Sequence, residues 1–167
     1  AQAIASTTVA AEFVSLNFTT EGVTTLTYFA RDFSRNEEAA GTLIVRIDKT
    51  LPVISGLPAL GCSLWPPNHE LVQVATVIAR DGLSGLAGGS PSVTGTSNES
   101  ETGLGAGDTS PDIVITNGNV QLRAERSGKS IGRIYTLTAT ARDLADNVAN
   151  ATATCTIPHD QSKKKGK

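Results

Sequence analysis

Apolar and polar residues alternate one by one through Thr25 to Tyr28, Val120 to Glu125, Thr136 to Ala141 and Ala151 to Ile157. A period of two sends successive side chains to opposite faces of an extended chain, so these stretches predict half-buried β-strands. In residues 1 to 49 the pattern predicts three strands, Thr8 to Phe18, Val23 to Arg31 and Thr42 to Ile47. Beyond Asp48-Lys49-Thr50-Leu51-Pro52 it predicts seven, at about 53 to 55, 70 to 80, 92 to 96, 112 to 116, 119 to 125, 133 to 142 and 150 to 157. The clearest local signal is the hairpin from Ile113 to Leu122, whose Asn117-Gly118 pair takes the positive φ values of a type I′ turn. After that turn Val120, Leu122 and Ala124 face one way, and Gln121, Arg123 and Glu125 the other. One face is therefore expected to be buried.

The same device occurs twice. Ala30-Arg31-Asp32-Phe33-Ser34-Arg35-Asn36 recurs 111 residues later as Ala141-Arg142-Asp143-Leu144-Ala145-Asp146-Asn147, each copy following an alternating strand and leading into another. That spacing suits tandem sandwich domains of about a hundred residues. Residues 50 to 160 hold enough strands for a complete immunoglobulin-like sandwich, and residues 1 to 49 hold only its closing strands. The apolar side chains of the short module, Phe13, Val14, Leu16, Leu26 and Tyr28 among them, then lack a facing sheet and must be covered by something else.

The residues resemble known repeats at this point. Glu21-Gly22-Val23-Thr24-Thr25-Leu26-Thr27-Tyr28, followed by Ala30-Arg31-Asp32, Asn36-Glu37, Ile47-Asp48-Lys49-Thr50 and Pro52, resembles the closing half of Ig-like repeats of secreted bacterial surface proteins. The second module is similar to hyalin repeats: Pro52-Val53-Ile54 precedes Cys62, and the Ala-x-Asp-x-x-x-Asn turn precedes Cys155. The run Gly56 to Leu60 and the segment Ser63-Leu64-Trp65-Pro66-Pro67-Asn68-His69 depart from that pattern. The resemblance implies an all-β fold and leaves function open among spacers, adhesion units and accessory domains.

Composition supports the strand pattern. The 167 residues are 39% hydrophobic but only 4% aromatic, with 21 Thr, 16 Gly and no Met. No apolar run reaches the roughly 18 residues of a membrane span, so no membrane insertion is expected. Four of the six Lys lie within the last five residues, and residues 1 to 162 carry 10 basic against 16 acidic side chains, about −6. An acidic body makes a poor nucleic-acid binder, and no nucleic-acid partner is expected. The stretch 161 to 167 is expected to be a disordered basic tail. The absence of an initiator Met or a signal core at Ala1 leads us to expect a processed product.

Cys62 and Cys155, the only cysteines, lie near the two ends of the complete module. A disulfide is expected, which would imply an oxidising compartment outside the cell. Two buried free thiols are the alternative; zinc lacks a CxxC or paired His to complete its ligands. No cofactor is implied, and calcium is the one metal to weigh. Asp32 with Asn36, Glu37 and Glu38, Asp143 with Asp146 and Asn147, and Asp81 beside Ser84 offer hard oxygen ligands. The same residues close tight turns by accepting backbone N–H bonds, and on that account any calcium effect should be small. His69 and His159 stand in no nucleophile elbow, metalloprotease helix or phosphate loop, and no enzyme is expected.

Trp65, the single Trp, is expected to cover the end of its own core; exposed, it would instead dock on a sugar or a neighbouring subunit. Asn17, Asn98 and Asn150 head Asn-x-Ser/Thr triplets and are candidate glycosylation sites. Taken together, these features point to an extracellular, non-enzymatic structural protein, a subunit or stalk segment of a filament assembled by β-strand complementation. Phe13, Val14, Leu16, Phe18 and Trp65 are its expected interface, and a second copy is its expected partner. The alternative is a spacer or carbohydrate-binding module of a larger secreted hydrolase or adhesin, with surface glycans as ligands.

Overall fold

The computed structural model of the chain describes residues 9, 10, 13–103 and 108–160. They form ten strands and no helix. Two compact units divide between Thr50 and Leu51.

The first unit is a two-stranded antiparallel hairpin, β1 (Gly22–Tyr28) and β2 (Gly41–Ile47). Its register pairs Thr24 with Val45, Leu26 with Leu43 and Tyr28 with Gly41. The Tyr28 ring occupies the space a side chain at position 41 would need, since a Cβ there would lie 2.6 Å from the ring. The base of the hairpin is clipped by Glu21, whose Oε1 accepts bonds from Thr50 Oγ1 at 2.6 Å and Lys49 N at 2.9 Å. Those donors, the Thr50 hydroxyl foremost, hold the Glu21 carboxyl below its ordinary value.

Of the expected strand from Thr8 to Phe18, the described residues 9, 10 and 13–18 form no strand. Phe13 to Phe18 are irregular, and of the remainder Thr8, Ala11 and Glu12 fall outside the described residues. Alternation qualifies a segment for a strand, but only a neighbouring strand edge supplies the ladder of hydrogen bonds. Among the described residues nothing pairs with 13 to 18.

The second unit is a β-sandwich. One sheet has the order β10 (Val148–Pro158), β9 (Gly132–Arg142), β6 (Ser92–Ser97); the other has β4 (Leu71–Thr76), β8 (Asn119–Arg123), β7 (Ile113–Thr116). A short pair, β3 (Val53–Ser55) with β5 (Ile78–Arg80), completes it. The stretch 70 to 80, expected as one strand, is two. A bulge between Gln73 and Ala75 shifts the register, and Val77 turns inward with its N–H donated to Gly118 O at 2.8 Å. The chain thereby passes from β8 to β3 as partner, the usual work of a bulge.

The core is built by the inward alternates of β8 and β9, with Val120, Leu122, Tyr135, Leu137 and Ala139 at 0% exposure. Gly95 on β6 lets Leu137 and Ile113 approach, since a Cβ there would lie 3.0 Å from one and 3.1 Å from the other. Cys62 and Cys155 form a disulfide with their Cα atoms 4.6 Å apart, fixing the segment after β3 to β10. The Asn-Gly turn adopts φ of 50° at Asn117 and 79° at Gly118, the values expected of type I′.

One end of the sandwich core is ionic. Arg133, on the same face of β9 as Tyr135 and Leu137, is fully buried. Its guanidinium donates to Asp112 Oδ2, to Ser100 O at 2.6 Å, to Tyr135 Oη at 2.9 Å and to Glu99 Oε2 at 3.3 Å. Tyr135 in turn donates to Arg123 O at 2.9 Å. Burial pushes the Tyr135 hydroxyl up to about 12, although Arg133 pulls the other way. Burial also raises the Asp112 carboxyl against the opposing pull of Arg133. Glu125, expected on the solvent face, is buried: Glu125 N bonds Arg123 O, ending the alternation, and its Oε2 takes His69 Nδ1 at 2.8 Å and Thr109 N at 3.2 Å.

Candidate assembly surface

The turn of the β1–β2 hairpin repeats the turn of the β9–β10 hairpin. In the first turn Asp32 Oδ1 accepts Asn36 N at 2.8 Å and Asp32 Oδ2 accepts Asn36 Nδ2 at 2.7 Å. In the second, Asp143 Oδ1 accepts Asn147 N at 2.8 Å and Asp143 Oδ2 accepts Asn147 Nδ2 at 2.7 Å. Arg35 and Asp146, at equivalent places, share a φ of 70°. Asp and Asn stand in these turns because their short side chains satisfy backbone donors that the reversal leaves free. The Asn36 amide and N–H hold the Asp32 carboxyl below its ordinary value.

Equivalence of the hairpins defines what the first one lacks. Thr24, Leu26 and Tyr28 on β1 correspond to Tyr135, Leu137 and Ala139 on β9, all three fully buried. Leu43, Val45 and Ile47, on the same face as Leu26, correspond to Ala153, Cys155 and Ile157. In the second unit the opposite sheet covers this face, and β6 occupies the outer edge of β9. Among the described residues no strand occupies the outer edge of β1. On this face Tyr28 and Leu43, toward the turn, are about half exposed at 54% and 49%, whereas Thr24 is buried and Leu26, Val45 and Ile47 are half-buried. The turn end of an apolar sheet face and, among the described residues, an unpaired strand edge are thus presented together.

The five expected interface residues all fall outside the hairpin. Phe13 is 82% exposed, Val14 and Leu16 are exposed and Phe18 is half-buried, all in irregular chain. Trp65 is 46% exposed and does not close the core; its neighbour Leu64 does, tied by its N–H to Thr156 O at 2.9 Å. The disulfide and this bond hold the segment so that position 64 points inward and position 65 outward.

The remaining candidates are accounted for individually. Asn98 is a structural cross-link, its Oδ1 accepting Ile134 N at 2.6 Å and its Nδ2 donating to Gly132 O at 3.3 Å. Asn17 is exposed in irregular chain, and Asn150 is exposed on β10, accepting Thr140 Oγ1 at 2.7 Å. Asp146 pairs with Arg142 at the surface. Asp81 caps its own turn through bonds from Leu83 N at 3.1 Å and Gly85 N at 2.8 Å. His69 faces Glu125, and His159 lies at the surface; the two are not brought together.

Sequence reasoning missed the Arg133 cluster, although the signal was present: Arg133 shares its parity on β9 with Leu137, Ala139 and Ala141. Comparison of the chain with models of protein families, with curated proteins and with solved structures finds no match.

Proposed function

We propose that this is an extracellular, non-enzymatic structural protein whose copies join by strand complementation at the β1–β2 hairpin. One observation carries the proposal: the hairpin has the turn chemistry and face of β9–β10 but, among the described residues, not the strands that cover β9–β10. The disulfide agrees with an oxidising compartment.

The second unit also suggests the register of an incoming strand. There Gly95 lies opposite Leu137 and Val93 opposite Ala139. A strand antiparallel to β1 should therefore set a small residue opposite Leu26 and an apolar one opposite Tyr28. A donor contributed by a neighbouring copy makes a head-to-tail contact that extends as a filament unless it closes into a ring.

Electron microscopy and analytical ultracentrifugation of the full chain test this. Filaments or concentration-dependent oligomers are expected, and Leu26→Lys should abolish them while the second module keeps its native fluorescence. A monodisperse monomer whose amides in β1 and β2 resist exchange would show that the hairpin suffices alone. That result would return the protein to the alternative of a spacer or glycan-binding module.

A further inference from the structure

The ionic end of the second unit is short of positive charge. Three carboxylates are buried there, Glu99, Asp112 and Glu125, the last only 1% exposed. Two guanidiniums face them. Arg133 bonds Asp112 Oδ2 and Glu99 Oε2, while Arg123 stands 3.8 Å from Asp112 Oδ1 and spends its hydrogen bonds on the carbonyls of Pro111 and His69. Arg126 is spent on the carbonyls of Pro158 and His159. Among the described residues no guanidinium pairs with Glu125.

Glu125 shows the shortfall most plainly. Its Oε2 takes Thr109 N and Thr109 Oγ1, both at 3.2 Å, and faces His69 Nδ1 at 2.8 Å. Its Oε1 is sealed from solvent with no hydrogen-bond partner, as is Asp112 Oδ1. The surrounding segments add acid rather than base: Glu101, in the loop after β6, accepts Asp112 N at 3.2 Å, and Asp108 stands one residue before Thr109. Burial raises the Asp112 carboxyl; Arg133 opposes that rise, and the charges of Glu125 and Glu101 add to it. Tyr135 on β9, pushed up to about 12, stays neutral. His69, just before β4, is of the one residue type that ordinarily gains charge between about pH 8 and pH 5.

A charge left uncompensated in a dry site is costly, and such a site takes up a proton instead. We infer that the Asp112–Glu125–His69 cluster holds in the folded state a proton that the unfolded chain releases, so that the second unit tightens as pH falls from neutral to mildly acidic. The proton belongs to the cluster and not to one residue. Its sign is the same wherever it sits. Protonation of Asp112 or Glu125 removes a buried negative charge, protonation of His69 gives Glu125 a cation, and either favours the folded state at lower pH. What the proton fastens is Thr109 and His69, the latter ending the segment that carries Trp65. Strand complementation at the β1–β2 hairpin plays no part in it.

The test uses the full chain, its urea unfolding followed by Trp65 fluorescence from about pH 7.5 to about pH 5.5. One proton bound only by the folded state lowers the unfolding constant about tenfold per pH unit, and a fall of roughly tenfold over the whole range is expected. Glu125→Gln, which keeps an acceptor for Thr109 and removes the charge, should flatten the fall, whereas His159→Gln, at the surface, should leave it unchanged. An indicator dye in weakly buffered urea needs no variant: the wild type should release protons on unfolding near pH 6.5. An unfolding constant that stays level or rises on acidification would overturn the inference, as would an equal fall in Glu125→Gln. Where that variant does not fold, the dye decides, since no release, or net uptake, overturns it too.

Discussion

Replacing Arg133 by Met keeps the stem of the side chain in the core and deletes the guanidinium. Four hydrogen bonds go with it, to Asp112, Glu99, Ser100 and Tyr135. The larger cost comes from what remains, because Asp112 is 3% exposed, with Arg123 Nε at 3.8 Å from its Oδ1 as the cation left beside it, and the Glu99 side chain is 6% exposed. Breaking a buried ion pair by removing one partner costs about 3–5 kcal/mol. For a module of this size that lowers the melting midpoint by roughly 15 °C or more. Urea unfolding followed by tryptophan fluorescence measures it cleanly, since Trp65 is the only Trp and lies in the second module.

The pH dependence supplies an independent check. Burial already raises the Asp112 carboxyl, and Arg133 opposes that rise. Without Arg133 the folded value climbs further above the unfolded one, so the folded variant binds the proton more tightly than the unfolded chain does. The variant therefore regains stability as pH falls through the raised value toward the ordinary aspartate range near 3.9. Its deficit should narrow on acidification from neutral pH. A deficit under about 1 kcal/mol at neutral pH, or one that widens toward acid, would refute the account of Arg133 as the counter-ion of a buried carboxylate.

Three further outcomes follow from the same structure. Reduction of Cys62–Cys155, which are 93 positions apart, should destabilise the second module by roughly 4 to 5 kcal/mol, read as a fall in its urea midpoint after alkylation. Gly118→Ala should cost at least about 1 to 2 kcal/mol by chevron or equilibrium unfolding, since φ there is 79° and the new Cβ would lie 2.4 Å from Val77 O. Asn36→Ala should return the Asp32 titration, followed by carboxyl NMR, upward toward its ordinary value; in the wild type the Asp32 contribution is present above that value and is lost as pH falls through the lowered one.

The sequence alone determined the strands that carry their own periodicity and the turns that carry their own chemistry. Val120 to Ala124 alternates so regularly that Val120, Leu122 and Ala124 could be named as one face, and Asn117-Gly118 and the two Asp-x-x-x-Asn turns fix reversals through bonds between near neighbours. The recurrence after 111 residues also marked the first hairpin as the counterpart of the second. Tertiary structure decided the features that depend on partners distant in the chain. Phe13 to Phe18 alternates in part, yet forms no strand because, among the described residues, no edge meets it. Glu125 continues an alternation that places it in solvent, but Arg123 O takes its N–H and His69 and Thr109 draw its carboxylate inside. Trp65 points outward because the disulfide and the bond to Thr156 fix Leu64 as the inward residue. Local rules reach a turn or a strand face; burial of charge, pairing of edges and convergence of carboxylates arise only where separate segments are brought together.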